Sequence, residues 1–330
     1  MTSLNLHNLL LGTLSLAFVA CDVPDPEAVQ ERGYNSNMSS GECPPWECGF
    51  NSAEVNGRAI RELNLDGAYN DDGMRIVGFI APAGLLGSYK LDVQNDELVA
   101  VGKYKTLRGK QLIGATLLVK PSGLLKPATP IVVAGYSEVQ SWAAGGAPVP
   151  SYALLYPDVD AVLGQRNVCV GDLKNIFTTA AVILGGETYD LDSKTVNADQ
   201  DRWVTIACAG SAAAKLRLMN YGPQSDFDGQ GNPASVDQRQ ATLKMLTADY
   251  CGDGTSYTAN GTPLAWENAE GTVATTTKLG AREAVWTADG ALCLEATRLA
   301  DAEVACNLPA CDSLGDPLAA GEWLTHLPLK

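Results

Sequence analysis

Nine cysteines constrain this chain more than any other feature, and they divide as one plus eight. Cys21 closes the apolar run 9–20, and Cys43, Cys48, Cys169, Cys208, Cys251, Cys293, Cys306 and Cys311 all follow it. An even set of eight behind an export-type segment suits disulfides formed in an oxidising compartment. No Cys-x-x-Cys pair is present to build a four-cysteine zinc site. Eight cysteines permit about 105 connectivities, among which sequence alone does not choose, and spacing suggests one set of pairs. Cys43 and Cys48 frame a proline-bearing loop, as do Cys306 and Cys311, so both read as local clips. Cys169 and Cys208 lie in strand-like runs and read as a link between neighbouring strands, which leaves Cys251 and Cys293 for each other. Chain-entropy arithmetic assigns about 2 kcal/mol to each short loop and about 4 kcal/mol to each long one.

The apolar run 9–20 has the length of a secretory h-region and is too short to span a bilayer. Ending in Phe18-Val19-Ala20-Cys21, it resembles a bacterial lipoprotein signal, although residues 1–8 carry no Lys or Arg and Phe18 replaces the usual Leu. Ordinary secretion would leave Cys21 an odd free thiol, a liability in an oxidising compartment, so lipidation of Cys21 is the favoured reading. Residues 1–20 are then a signal peptide and 21–42, rich in Pro, Glu, Ser and Asn, a flexible lipid-anchored linker. The expected location is the cell envelope, at the periplasmic face or the outer membrane, with the bilayer met through lipid alone.

A net charge of −15 repels phosphate backbones, which argues against a nucleic-acid partner. Only His7 and His326 exist, and His7 lies in the expected signal. A histidine-based nucleophile system would have to recruit His326, which reads as a solvated tail residue, and histidine-rich zinc hydrolases are equally disfavoured.

Along the mature chain, short apolar runs alternate with turn signals such as Asn56-Gly57, Asp66-Gly67, Asp72-Gly73, Asn95-Asp96 and Arg108-Gly109. The strand-like runs are 74–80, 97–101, 111–119, 131–134, 151–157, 167–170, 180–184 and 203–208. Two helices are expected, 211–221 ending at Gly222-Pro223, and one starting at Ser235, where Gln238 completes a capping box. The second places Val236, Leu243, Leu246 and Tyr250 on one face. These features predict a mainly β protein with a minor helical part (α+β). Its antiparallel sheets form a sandwich or barrel, two adjacent helices lie in the second half, and disulfides brace the whole. A β-rich N-terminal domain covers 43–150, a second domain 151–311, and a tail 312–330. The Ala/Gly/Pro segment 143–150 reads as the boundary, or equally as a long loop within one domain.

The second helix ends in Thr247-Ala248-Asp249-Tyr250-Cys251-Gly252-Asp253-Gly254, and Trp286-Thr287-Ala288-Asp289-Gly290-Ala291-Leu292-Cys293 follows downstream. These runs, in this order, resemble the ADYC domain, a bacterial family of exported, lipoprotein-like proteins without an assigned activity. The resemblance covers about the second half of the chain, makes 151–311 an ADYC-like domain and supports disulfide roles for Cys251 and Cys293. Gly252 suits the left-handed residue that ends the helix, and Gly254 the turn after it. A thiol at a helix C-terminus is a poor nucleophile, so Cys251 reads as a disulfide partner.

Little chemistry stands out. Asp226, Asp228, Gln230 and Asp237 partly follow a calcium-loop order, against which position twelve is Asp rather than Glu and Pro223 interrupts the approach; an ordinary polar loop is the commoner use, and no other cofactor is expected. Asp190, Asp192, Asp199 and Asp201 read as a solvated loop. Asp249 and Asp253 are an alternative carboxylate pair, although turn capping is the commoner role of such residues. Two function classes follow. One is an envelope protein that binds or assembles with an envelope protein or glycan, using exposed aromatics among Trp46, Trp142, Trp266 and Tyr257. The other is an exported hydrolase, on polysaccharide, using a pair such as Asp249 and Asp253. No residue marks the chain as an enzyme, so the balance leans to binding.

Overall fold

Strands form where successive side chains can point to opposite faces of a sheet, and turns form where Asn, Asp or Gly accepts a left-handed backbone. The computed structural model describes residues 49–57, 60–84, 87–123, 125–169, 176–275, 279–300 and 302–328. The expectations for the signal, the linker, Cys21, Cys43, Trp46 and Cys48 lie outside these residues. In chain order the first strands are β1 (Glu62–Asn64), β2 (Met74–Ile80), β3 (Tyr89–Gln94), β4 (Glu97–Gly102), β5 (Thr106–Arg108) and β6 (Thr116–Pro121). Then come β7 (Thr129–Val139), β8 (Val149–Pro157), β9 (Gln165–Asn167), β10 (Ala181–Gly185), β11 (Thr188–Asp190), β12 (Thr195–Asn197) and β13 (Trp203–Cys208). Helices α1 (Ala212–Leu218) and α2 (Val236–Thr247) follow, and β14 (Ala265–Asn268), β15 (Leu279–Thr287), β16 (Gly290–Leu294), a short α3 (Pro317–Ala320) and β17 (Trp323–Pro328) complete the chain.

The molecule is mainly β and its sheets are antiparallel. The largest runs β1-β13-β10-β8-β7-β6-β2, with β9 branching from β8, and its two end strands touch, so it nearly closes into a barrel. Strands β3, β4 and β5 form a second sheet, β11 and β12 a third, and β14-β17-β15-β16 a fourth. Asn95 and Asp96, both left-handed, make the two-residue turn that pairs Gln94 with Glu97. The 143–150 segment is a loop within one sheet: β7 and β8 on either side of it pair with each other from Val139↔Val149 to Val132↔Leu155. Residues 111–119 do not form one strand, because a 3-10 turn over Gly109–Leu112 and the left-handed Gly114 come before β6.

Strand β10 explains the division of the core. Ala181 and Ile183 face the barrel interior with Leu117, Ile131, Tyr152 and Ile206, while Val182 and Leu184 face the helices with Leu216, Leu243 and Trp286. Both faces are buried, which is why the run is apolar throughout. On the helix side, Ala212, Ala213 and Ala214 let α1 approach the sheet closely, and the Ser211 hydroxyl caps it by accepting from the Ala214 amide at 3.2 Å. Helix α2 keeps the expected capping box between Ser235 and Gln238. Its one-sided apolar face is a correction, since Val236 is exposed while every residue from Arg239 to Thr247 is buried. The helix is central, and its polar side chains are inside. The expected tail 312–330 is corrected over its described residues, 312–328: β17 lies between β14 and β15 and carries His326 opposite both Ala265 and Arg282.

Three disulfides join the described cysteines. Cys169 pairs with Cys208, as spacing proposed. Cys251 pairs with Cys306 and Cys293 with Cys311, which corrects both the Cys251–Cys293 brace and the Cys306–Cys311 clip. The reason is backbone direction. The Leu294 amide on β16 donates to the Pro309 carbonyl at 3.0 Å, so the chain between Cys306 and Cys311 runs alongside that strand. One cysteine reaches the α2 terminus and the other reaches β16.

Candidate functional site

Helix α2 ends at Ala248, whose left-handed backbone is the cap; Gly252 comes later than the helix end. Asp249 is fully buried, accepts from the Lys244 ammonium at 2.6 Å and from the Gly254 amide at 2.9 Å, and so closes the turn after the helix. Lys244 also donates to the carbonyls of Ser193 and Gly252, and Lys194 donates to that of Gly254. Tyr250 donates to Glu283 at 2.5 Å, while the Arg298 guanidinium reaches the same oxygen at 2.6 Å and covers Trp286. Burial pushes the Tyr250 phenol well above its ordinary range, and Glu283 adds to that. A Cβ on Gly252 would collide with the Asp289 carbonyl, and one on Gly254 with the Asp192 carbonyl. The turn is a buried, close-packed hub.

Two further ion pairs are buried. Arg239 on α2 donates to Glu187 at 2.8 Å, and Tyr189 donates to the other carboxylate oxygen. Burial pushes the Glu187 carboxyl up to about 7, against the pull of Arg239. Asp96 accepts from the amides of Gly185 and Gln224 and from the Ser225 hydroxyl, and burial raises its pKa while Arg217, 3.8 Å away, opposes the rise.

That last pair underlies a cleft of about 540 Å³ between the 143–150 loop and the 226–231 loop. Its lining includes Arg217, which is only 6% exposed, together with Glu97, Asn95, Gln224, Asp226 and Phe227. Arg217 donates through Nη1 to Ser225 at 3.2 Å, and its Nε has no hydrogen-bond partner. The volume lies within the range of about 300–1,000 Å³ usual for small-molecule sites. A smaller cleft of about 280 Å³ is lined by Glu62, Asp71 and Trp203 among others. Burial raises the Glu62 pKa there.

The model of the family described as the ADYC domain matches residues 109–300, more than half of the chain. The chain belongs to the ADYC domain family. No curated protein and no solved structure matches it. The match begins well before residue 151, in the strands β6 to β8 that the barrel shares with β10 and β13.

Within the ADYC domain the candidate residues separate. Asp249 lies inside the hub and Asp253 outside it, exposed, its pKa lowered by the hydrogen bond from Thr255. With Asp249 wholly out of solvent and bound to Lys244, the two do not form an open acid pair. Asp226 and Asp228 share one loop and spend carboxylate oxygens on its own amides: Gly231 on Asp226, Gln230 and Asn232 on Asp228. Asp237 sits apart from them in the first turn of α2. Among the described residues no three or more His, Cys, Asp or Glu side chains converge on a metal position. Asp190 is a turn cap that accepts from the amides of Asp192 and Ser193.

Aromatic exposure is also corrected. Trp142 and Trp266 are buried and stacked on each other 6.3 Å apart, and Tyr257 is half-buried beside Tyr250. They fill the core because the helix side needs large side chains between two sheets. Phe227 and Trp203, which line the two clefts, went unnoticed in the sequence, as did Arg217. An arginine in the alanine-rich helix 212–218 was the one signal available for the latter. His326 is half-buried, its pKa lowered by burial, and lines neither cleft.

Proposed function

We propose that this chain is an exported, lipid-anchored protein of the cell envelope, held to the bilayer through Cys21, whose disulfide-braced body binds a ligand or partner in the cleft above Arg217. The observation that carries this reading is cysteine use. Six of the eight cysteines after Cys21 are paired among the described residues, in bridges that span 39, 55 and 18 positions. Such bracing belongs to proteins made for an oxidising compartment. The apolar segment before Cys21 supplies the export and lipidation signal, and the charge of −15 argues against nucleic acid as partner. Binding is favoured over hydrolysis because the acid pair that the alternative relied on is split between the core and the surface.

Intact mass of the protein extracted from membranes tests the anchor. The expected mature N-terminus is Cys21 carrying acyl mass; a different N-terminus, or Cys21 without acyl mass, overturns it. Alkylation under denaturing, non-reducing conditions tests the bracing, and more than one alkylated cysteine counts against it.

A further inference from the structure

We infer that the cleft above Arg217 takes a neutral, hydroxyl-rich ligand, a carbohydrate chain, an inference that rests on the binding reading above and gives it a ligand class. The charge balance comes first. Arg217 is answered by Asp96 at 3.8 Å and Glu97 by Arg108 at 3.6 Å, so the charge left facing a ligand is Asp226, in a chain of net −15. A phosphate or carboxylate would be repelled. The chemistry of the lining comes second. Arg217 only donates, Glu97 and Asp226 only accept when ionised, and the amides of Asn95 and Gln224 do both. A sugar hydroxyl also does both, so a carbohydrate can use every one of these groups, which an acyl chain cannot.

Phe227 supplies the apolar surface on which a sugar ring packs. Its ring is held edge-on to Tyr221 at a centroid distance of 4.8 Å. Asp226 is held as well, by the Gly231 amide on its carboxylate at 2.7 Å and by Asn220 on its carbonyl at 2.5 Å. Groups fixed before a ligand arrives lower the ordering cost of binding. Beneath this opening Arg217 is itself fixed, its Nε directed at Asp96 at 3.8 Å and its Nη1 on the Ser225 hydroxyl at 3.2 Å. A peptide fits less well. The cleft is walled chiefly by loops and helix ends, and β4, whose Glu97 reaches it, is already paired on both sides by β3 and β5, so it offers no strand edge for an added strand.

The test uses the full mature protein in a detergent without a sugar headgroup. Maltohexaose, cellohexaose, xylohexaose and chitohexaose are the probes, with inorganic phosphate and trialanine as controls, read by saturation-transfer NMR and calorimetry. At least one hexasaccharide is expected to bind while phosphate and trialanine do not. Ala147→Trp, at an exposed position of the lining, is expected to weaken that binding about tenfold or more with an unchanged melting temperature. Asp226→Asn is expected to weaken it less. The inference is overturned if no hexasaccharide binds, if Ala147→Trp leaves binding intact, or if trialanine or phosphate occupies the cleft instead. Acyl mass and thiol count are read on the same sample. An acylated, fully bridged protein that ignores all four sugars sinks only the ligand class, and sugar binding by an unacylated protein sinks only the anchor.

Discussion

Gly252 and Gly145 have nearly the same left-handed backbone, φ +72° and +73°, and opposite surroundings. At Gly252 an added Cβ meets the Asp289 carbonyl; at Gly145, in the cleft wall, it meets nothing within 4 Å. The hub around Asp249 and the cleft above Arg217 differ in the same way throughout. In the hub, buried charges answer one another within hydrogen-bond distance and backbones touch. In the cleft, the walls are small residues and polar groups are left facing open space. The residues of the Asp249 turn are therefore packed into the scaffold, and the open cleft lies away from them.

The largest effect should come from Asp249→Ala, which leaves the Lys244 ammonium buried without its partner and should cost about 3–5 kcal/mol in urea unfolding. Replacing Lys244 by Met in the same chain should recover most of that loss. A cost below about 1 kcal/mol would mean the hub is not the rigid half of the pair. Next, converting both Cys251 and Cys306 to Ser removes a bridge across 55 positions and should cost up to about 4 kcal/mol. Peptide mapping without reduction should recover the Cys251–Cys306 and Cys293–Cys311 links, and a Cys251–Cys293 peptide would contradict the fold around β16.

The two glycines give the sharpest comparison. Gly145→Ala should cost about 1 kcal/mol, the expense of the backbone conformation alone, and Gly252→Ala about 3 kcal/mol or more. Because φ is shared, the difference measures the collision. Equal costs would erase the distinction between hub and cleft.

A smaller, pH-dependent effect belongs to Glu187, whose carboxyl burial raises from 4.5 to about 7. The folded state then holds a proton that the unfolded state releases, so this contribution is fully present below about 4.5 and lost as pH rises through about 7. Burial raises Glu62, Asp96 and Glu322 in the same direction. Asp190, Asp228 and Asp253 are lowered and act oppositely, losing their contribution only as pH falls below their ordinary 3.8. Unfolding midpoints should therefore rise from pH 8 to pH 5, with a flatter slope in Glu187→Gln; an unchanged slope would assign the effect elsewhere.

Much of the architecture was legible because it is local. Runs 74–80 and 203–208 became β2 and β13 without shift, Asn95-Asp96 made its hairpin turn, and Ser235 with Gln238 capped α2 as the spacing implied. The candidate site was hardly legible. Arg217, Asp96 and Phe227 stand far apart in sequence, and nothing in their neighbours distinguishes them from ordinary surface residues. Buried charges misled in the opposite direction: Asp249 resembled a candidate acid until Lys244 and Gly254 were seen to use it.

By itself, then, the sequence determined the β-rich class, the turns, the helix starts, the family and a supply of cysteines suited to bridges, all properties set by residues a few positions apart. Only the tertiary structure decided that Cys251 meets Cys306, that Glu187 meets Arg239 across 52 positions, and that the 143–150 loop walls a cleft with the 226–231 loop. Those outcomes depend on which distant segments exclude water from one another, and desolvation is a property of the assembled surface that no local pattern encodes.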